Sequence, residues 1–125
     1  MPMIVMDLDG TLTVEAAGVP YAELSPNAAV VAKLREYRAQ GFKVAIYTAR
    51  NMRTHAKSIG VINAQTLPAI VDWLRRHDIP FDEIHVGKPW PDSGGFYVDD
   101  RAIRPDEFVN LSHAEIMAIT GAPLQ

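Results

Sequence analysis

Asp7 and Asp9 stand one residue apart in Val5-Met6-Asp7-Leu8-Asp9-Gly10-Thr11-Leu12-Thr13, and Asp99-Asp100 close the run Phe96-Tyr97-Val98 near the other end of the chain. Each acidic group follows an apolar, strand-like run. In a parallel sheet such a pattern delivers carboxylates to the carboxyl edge, where open α/β sheets bind ligands. Like charges gathered there repel: a pair about 4 Å apart costs on the order of 4 kcal/mol at an effective dielectric near 20. A hard, oxygen-seeking divalent cation such as Mg²⁺ would offset that cost, with Asp7, Asp9, Asp99 and Asp100 as its candidate ligands. Of two carboxylates flanking one residue, one can attack phosphorus while the other exchanges a proton with the leaving group. The competing reading is a turn held by Asx-type hydrogen bonds.

Thr48 ends the apolar run of Phe42-Lys43-Val44-Ala45-Ile46-Tyr47-Thr48, and Ala49 and Arg50 follow it. A hydroxyl and backbone N–H groups at a strand end can hold phosphate oxygens; a β-branched residue finishing a strand is the plain alternative. Lys88, in Val86-Gly87-Lys88-Pro89-Trp90, can balance Asp7 and a phosphate together, or simply face solvent. Arg50 or Arg53 can fork onto a carboxylate or second phosphate of a substrate. Arg101 and Arg104 have acids close by in Asp106 and Glu107. Trp90 can stack on a sugar or base, or pack beneath its loop.

The elements that must position these groups alternate between strand and helix. Residues 3–8 read as a buried strand, and Thr11 to Leu24 as a flap or loop without periodicity. Ser25 and Pro26 suggest the start of a helix with Val30, Val31, Leu34 and Tyr37 on its apolar face, stopped by Gly41. Residues 42–48 form the second strand. Ala49 to Gln65 is polar, basic and irregular. Leu67, Ile70, Val71 and Leu74 make a second amphipathic helix, with Thr66 as its cap. Residues 84–87 and 96–99 are read as the third and fourth strands, and Ser112-His113-Ala114-Glu115 as the capping box of a last helix ending near Gly121. This order predicts an α/β fold with a central, mainly parallel sheet in one domain, residues 1–125.

The 125 residues are 48% hydrophobic and 22% charged, with net charge −3, which suits a globular domain and argues against a broad nucleic-acid footprint. No stretch approaches the roughly 20 apolar residues of a spanning helix, and the N-terminus lacks a basic leader region, so a cytoplasmic protein without membrane partners is expected. With no cysteine there are no disulfides or thiolate metal sites.

Taken in order, Asp7-Leu8-Asp9-Gly10-Thr11-Leu12-Thr13, Thr48, Lys88 and Asp99-Asp100 resemble the motif set of the haloacid dehalogenase superfamily, over residues 3 to about 100. The resemblance implies a three-layer Rossmann-like core and a Mg²⁺-dependent phosphatase. Asp7 would form an aspartyl-phosphate. Asp9 would protonate the leaving oxygen and then activate water. Thr48 and Lys88 would hold the phosphoryl group. Asp7, the Asp9 carbonyl and one of Asp99 or Asp100, the latter slightly preferred, would bind the metal. Members acting as dehalogenases lack the second aspartate; Asp9 is present, which favours oxygen–phosphorus chemistry.

Between Asp9 and Thr48 lie 38 residues, and between Thr48 and Lys88 lie 39, which one helix and its loops largely use up in each case. The chain therefore resembles the uncapped type. Such members act on large substrates or take a lid from neighbouring subunits, so a homo-oligomer, such as a tetramer, is expected. The segments around Thr48, Lys88 and Asp99 also resemble short phosphatases associated with capsule or surface-polysaccharide biosynthesis, which implies a phosphorylated sugar as substrate. The alternatives are a polynucleotide 3′-phosphatase, a protein phosphatase, and a non-catalytic binding subunit; nucleic acid is disfavoured by the acidic balance.

Overall fold

The computed structural model describes residues 2–121. Two compact units divide the chain, Met1–Trp90 and Pro91–Gln125. The first carries three parallel strands, β1 (Met3–Met6), β2 (Lys43–Tyr47) and β3 (Glu83–His85), in the order β1-β2-β3. Helix α1 (Ala28–Ala39) joins the first two strands. Between the second and third come a short turn of helix α2 (Ile59–Val61), a π-helical segment (Ile62–Thr66) and α3 (Leu67–Arg76). This is the α/β, parallel-sheet architecture the alternating elements predict.

Register explains which side of the sheet is the core. Met6, Ile46 and Ile84 are aligned on one face, with Ile4 and Val44 beside them; Val5, Ala45 and Glu83 share the other. Both crossovers advance the same way, and the right-handed rule for parallel connections lays α1 and α3 on one face. Met6, Val44 and Ile46 are accordingly buried, as are Val30, Val31, Leu34 and Tyr37 of α1 and Ile70, Trp73 and Leu74 of α3. On the opposite face Val5 remains 58% exposed.

The first helix begins two residues later than the Ser25-Pro26 signal suggests. Pro26 is taken by an isolated antiparallel bridge to Thr13, so Asn27 becomes the cap, its side chain accepting from the Val30 N–H at 3.4 Å. Gly41, at φ 97°, lets the chain leave the helix where an L side chain would be strained. Thr66 precedes α3 as expected, yet its side chain does not cap the helix. Its hydroxyl instead accepts from the Asn51 side-chain amide at 2.6 Å.

In the second unit the expected strand at 96–99 does not form. Phe96 and Val98 are 79% and 89% exposed, and no strand is assigned there. The composition is strand-like, but such a run needs a ladder partner, and its propensity depends on that context. Here the Asp99 carboxylate accepts the Arg101 N–H at 2.8 Å, a local turn that competes with pairing. An additional helix, α4 (Pro105–Asn110), follows, with Pro105 in its first turn and Glu107 reaching back to the Arg104 N–H at 2.9 Å. The last helix, α5 (His113–Thr120), has the expected capping box and ends at Gly121. The Ser112 N–H holds the Glu115 carboxyl below the usual carboxylate range. No helix among the described residues is long and apolar enough to cross a membrane.

Candidate functional site

β1 ends at Met6, so Asp7 is the first residue beyond the strand. The chain then folds over itself: the Leu8 carbonyl accepts from the N–H groups of Thr11, Leu12 and Thr13, and Leu8 and Leu12 are fully buried beneath the turn. Gly10 makes the turn possible. Its φ of 79° is a region that side-chain-bearing residues rarely adopt, while the space around it would admit a Cβ. The buried Thr13 hydroxyl oxygen accepts the Gly10 N–H at 3.1 Å. The turn is closed by the Leu8 carbonyl and the Thr13 hydroxyl rather than by Asx-type bonds from the aspartates, whose carboxylates meet side chains instead.

The Asp7 carboxylate receives the Thr11 hydroxyl at 2.9 Å on one oxygen, and the Lys88 ammonium stands 3.7 Å from the other. The Asp7 side chain keeps 38% of its surface in solvent, so an incoming group can reach it. Lys88 is brought there by the sheet edge: its N–H donates to the Thr48 carbonyl at 3.1 Å, and the Thr48 N–H donates to the His85 carbonyl at 3.0 Å. Its ammonium also stands 5.7 Å from the centroid of the Tyr47 ring. A carboxylate with a cation at its side and an open approach can act as a nucleophile whose product charge is already balanced.

Asp9 meets Arg50. The guanidinium forks onto the carboxylate, Nη2 to Oδ1 at 2.7 Å and Nε to Oδ2 at 3.3 Å. The Arg50 side chain is only 3% exposed against 26% for that of Asp9. On Arg50 the Tyr21 ring lies with its centroid 4.2 Å from Cζ, in cation–π contact. The Arg50 N–H donates to the buried Thr48 hydroxyl oxygen at 3.0 Å, leaving the hydroxyl proton for another acceptor.

The sequence-predicted residues Asp7, Asp9, Thr48, Arg50 and Lys88 are thereby joined through direct contacts in the first unit. Ala49 and Arg53 lie in the turn beyond Thr48, the Ala49 carbonyl accepting from the Met52 N–H at 3.0 Å, and Arg53 exposed. This turn contains three non-glycine residues at positive φ, namely Asn51, Ala56 and Lys57. Asp99 and Asp100 belong to the second unit, where both are exposed. Sequence reasoning missed Tyr21. It sits in the aperiodic stretch read as a flap, and no spacing rule ties it to Arg50. Among the described residues no three His, Asp or Glu side chains gather to hold a metal. Asp7 and the Asp9 carbonyl nonetheless offer the hard oxygen donors that Mg²⁺ takes, and that ion is ordinarily bound through one or two protein carboxylates plus water and phosphate.

No family model and no curated protein matches the chain. Among solved structures, it is similar to the crystal structure of a structural-genomics target from Vibrio cholerae, at 48% identity over 97% of this chain and 98% of that one, with a TM-score of 0.92. The two chains belong to one family. It is also similar in fold to a chain of the Pnkp1/Rnl/Hen1 complex, at 23% identity and a TM-score of 0.52, over 89% of this chain and 35% of that one.

Proposed function

We propose that the chain is a Mg²⁺-dependent phosphomonoesterase of haloacid-dehalogenase type that works through an aspartyl-phosphate on Asp7. The observation that carries this is the Asp7–Lys88 pair at 3.7 Å, a solvent-reachable carboxylate with its own cation at the end of β1. The finer fold reading, a three-layer Rossmann-like core, goes with it. The fold likeness to a chain of the Pnkp1/Rnl/Hen1 complex supports that core as a fold.

An Asp7 oxygen attacks phosphorus as the bond to the leaving oxygen breaks, and Asp9 gives that oxygen a proton. Water then attacks the aspartyl-phosphate, Asp9 takes its proton, and Asp7 and inorganic phosphate are regenerated. Lys88 balances charge on the phosphoryl oxygens, and the Thr48 hydroxyl proton donates to one of them. A Mg²⁺ held by Asp7 and the Asp9 carbonyl would neutralise phosphate charge when bound. The motif order in the sequence adds Asp99 or Asp100 to the metal ligands.

A phosphorylated sugar, in capsule or surface-polysaccharide synthesis, is the substrate class the motif-flanking segments suggest. Arg53, exposed in the turn after Thr48, is the residue offered for a second anionic group on it. Polynucleotide 3′-phosphate and phosphoprotein are the other substrate classes to be assayed, and a non-catalytic binding role is the non-enzyme alternative. A homo-oligomer and a cytoplasmic location complete the proposal; a monomeric mass in solution would remove the former.

The test is phosphate release, with and without Mg²⁺, from sugar phosphates, a 3′-phosphorylated oligonucleotide and phosphopeptides. Asp7→Asn should abolish metal-dependent release while the thermal midpoint stays near wild type. Wild-type turnover in that variant would end the covalent mechanism, and silence of the wild type on every substrate class would favour a binding role.

A further inference from the structure

Arg50 is a nearly buried cation whose Nε and Nη2 groups both go to Asp9. Its fork meets both oxygens of Asp9, so it fixes the carboxylate plane as well as its position. A carboxylate has about four lone-pair sites, and a fork uses one on each oxygen. One more on each stays available for a proton. Arg50 is itself fixed at both ends. Its N–H is bound by Thr48, the same residue whose carbonyl anchors Lys88.

On its other side the Tyr21 ring covers the guanidinium. Tyr21 opens a short 3₁₀ turn (Tyr21–Glu23) that is pinned to α3 rather than left loose. The Arg76 guanidinium donates to the Ala22 carbonyl at 2.8 Å, and the buried Trp73 indole N–H donates to the Leu24 carbonyl at 2.9 Å. A continuous line of contacts therefore runs from α3 through Tyr21 and Arg50 to Asp9.

We propose that Arg50 is a positioning residue for proton transfer by Asp9, and that Tyr21, held by α3, is the lid that keeps Arg50 on it. The proposal rests on the phosphatase reading above and sharpens it: Arg50 acts on the substrate through Asp9 rather than by touching it. Shielded by the ring, the fork competes less with water and sets the angle at which the Asp9 proton meets the leaving oxygen.

The readout is the dependence of kcat/KM on leaving-group acidity across aryl phosphates, from p-nitrophenyl through phenyl to p-methoxyphenyl phosphate. A well-placed proton donor matters most for the poorest leaving group and gives a shallow slope. Arg50→Lys keeps the charge but loses the fork. It should steepen the slope, with a loss of about tenfold or more on p-methoxyphenyl phosphate and much less on p-nitrophenyl phosphate, and KM nearly constant. Tyr21→Leu changes a half-exposed ring outside the buried core; it should steepen the slope in the same direction with the thermal midpoint near wild type, while Tyr21→Phe keeps the ring and the shallow slope. An equal loss on all three esters, or none, in both Arg50→Lys and Tyr21→Leu would overturn the positioning role and leave the phosphatase reading standing. A wild type inactive on all three with Mg²⁺ present would instead remove the phosphatase reading, and the positioning role with it.

Discussion

Thr13 shows how much of the first motif is held together by residues other than its acids. Its buried hydroxyl oxygen takes the Gly10 N–H, so Thr13→Val would leave that donor without its partner at nearly constant shape. The expected cost is about 1–2 kcal/mol of unfolding free energy, measured by urea denaturation, together with reduced turnover because Asp7 and Asp9 flank the disturbed turn. The two aspartates were legible in the sequence because an apolar run ended on them. Their partners were legible unevenly. Lys88 could be picked out only through its order and spacing relative to the other motifs, since a lysine in a Pro-bearing loop is otherwise read as solvated. Arg50 was visible as a basic residue beside Thr48, but its fork onto Asp9 is a pairing across 41 positions that no local pattern encodes. Tyr21 was invisible for the same reason.

At the scale of elements, apolar runs long enough to be strands identified β1, β2 and β3, since each needed only its own residues and a neighbour already in the sheet. The run at 96–99 had the composition and lacked the ladder. Ala49 to Gln65, read as irregular, resolves into the positive-φ turn, α2 and the π-helical segment; a π-helical stretch has no sequence period of its own to find. One side chain ties three elements together. Asp82, just before β3, accepts the Val44 N–H of β2 at 2.8 Å and is gripped by both terminal nitrogens of Arg38 in α1. The Arg38 fork, then the Val44 N–H, hold its carboxyl below the ordinary value of 3.8. A carboxyl depressed in the folded state contributes stability that is present above its unfolded value and disappears as pH falls through the folded one. Asp82→Asn should therefore lower the thermal midpoint at neutral pH, and the gap from wild type should close on acidification below about pH 4. A gap that persisted unchanged into strong acid would mean the carboxylate charge is not what matters there.

Across the whole molecule, the division after Trp90 falls at a stretch where residues 92–102 are all exposed and carry no helix or strand. Trypsin has one clear opening in this region, since Lys88 precedes Pro89 and Arg104 precedes Pro105, which leaves the Arg101–Ala102 bond. Brief digestion of the native protein should cut there early, and mass spectrometry of the first fragments would check it; initial cleavage inside α1 or α3 would show those helices to be the weaker part. The loop from Thr13 to Pro26 has a different significance. Its two arms meet through the Val14 N–H on the Ser25 carbonyl at 2.8 Å and the Thr13–Pro26 bridge, and its second arm is bolted to α3. The bend at Ala16–Val19, with Gly18 facing open space, is the part left unclamped. Because the stem is already closed, each doubling of the tip's length would cost only about 0.6 kcal/mol. Descendants of this chain could thus grow a new structural module at Ala17–Gly18, over generations and from a standing start, without disturbing the aspartates a few residues away.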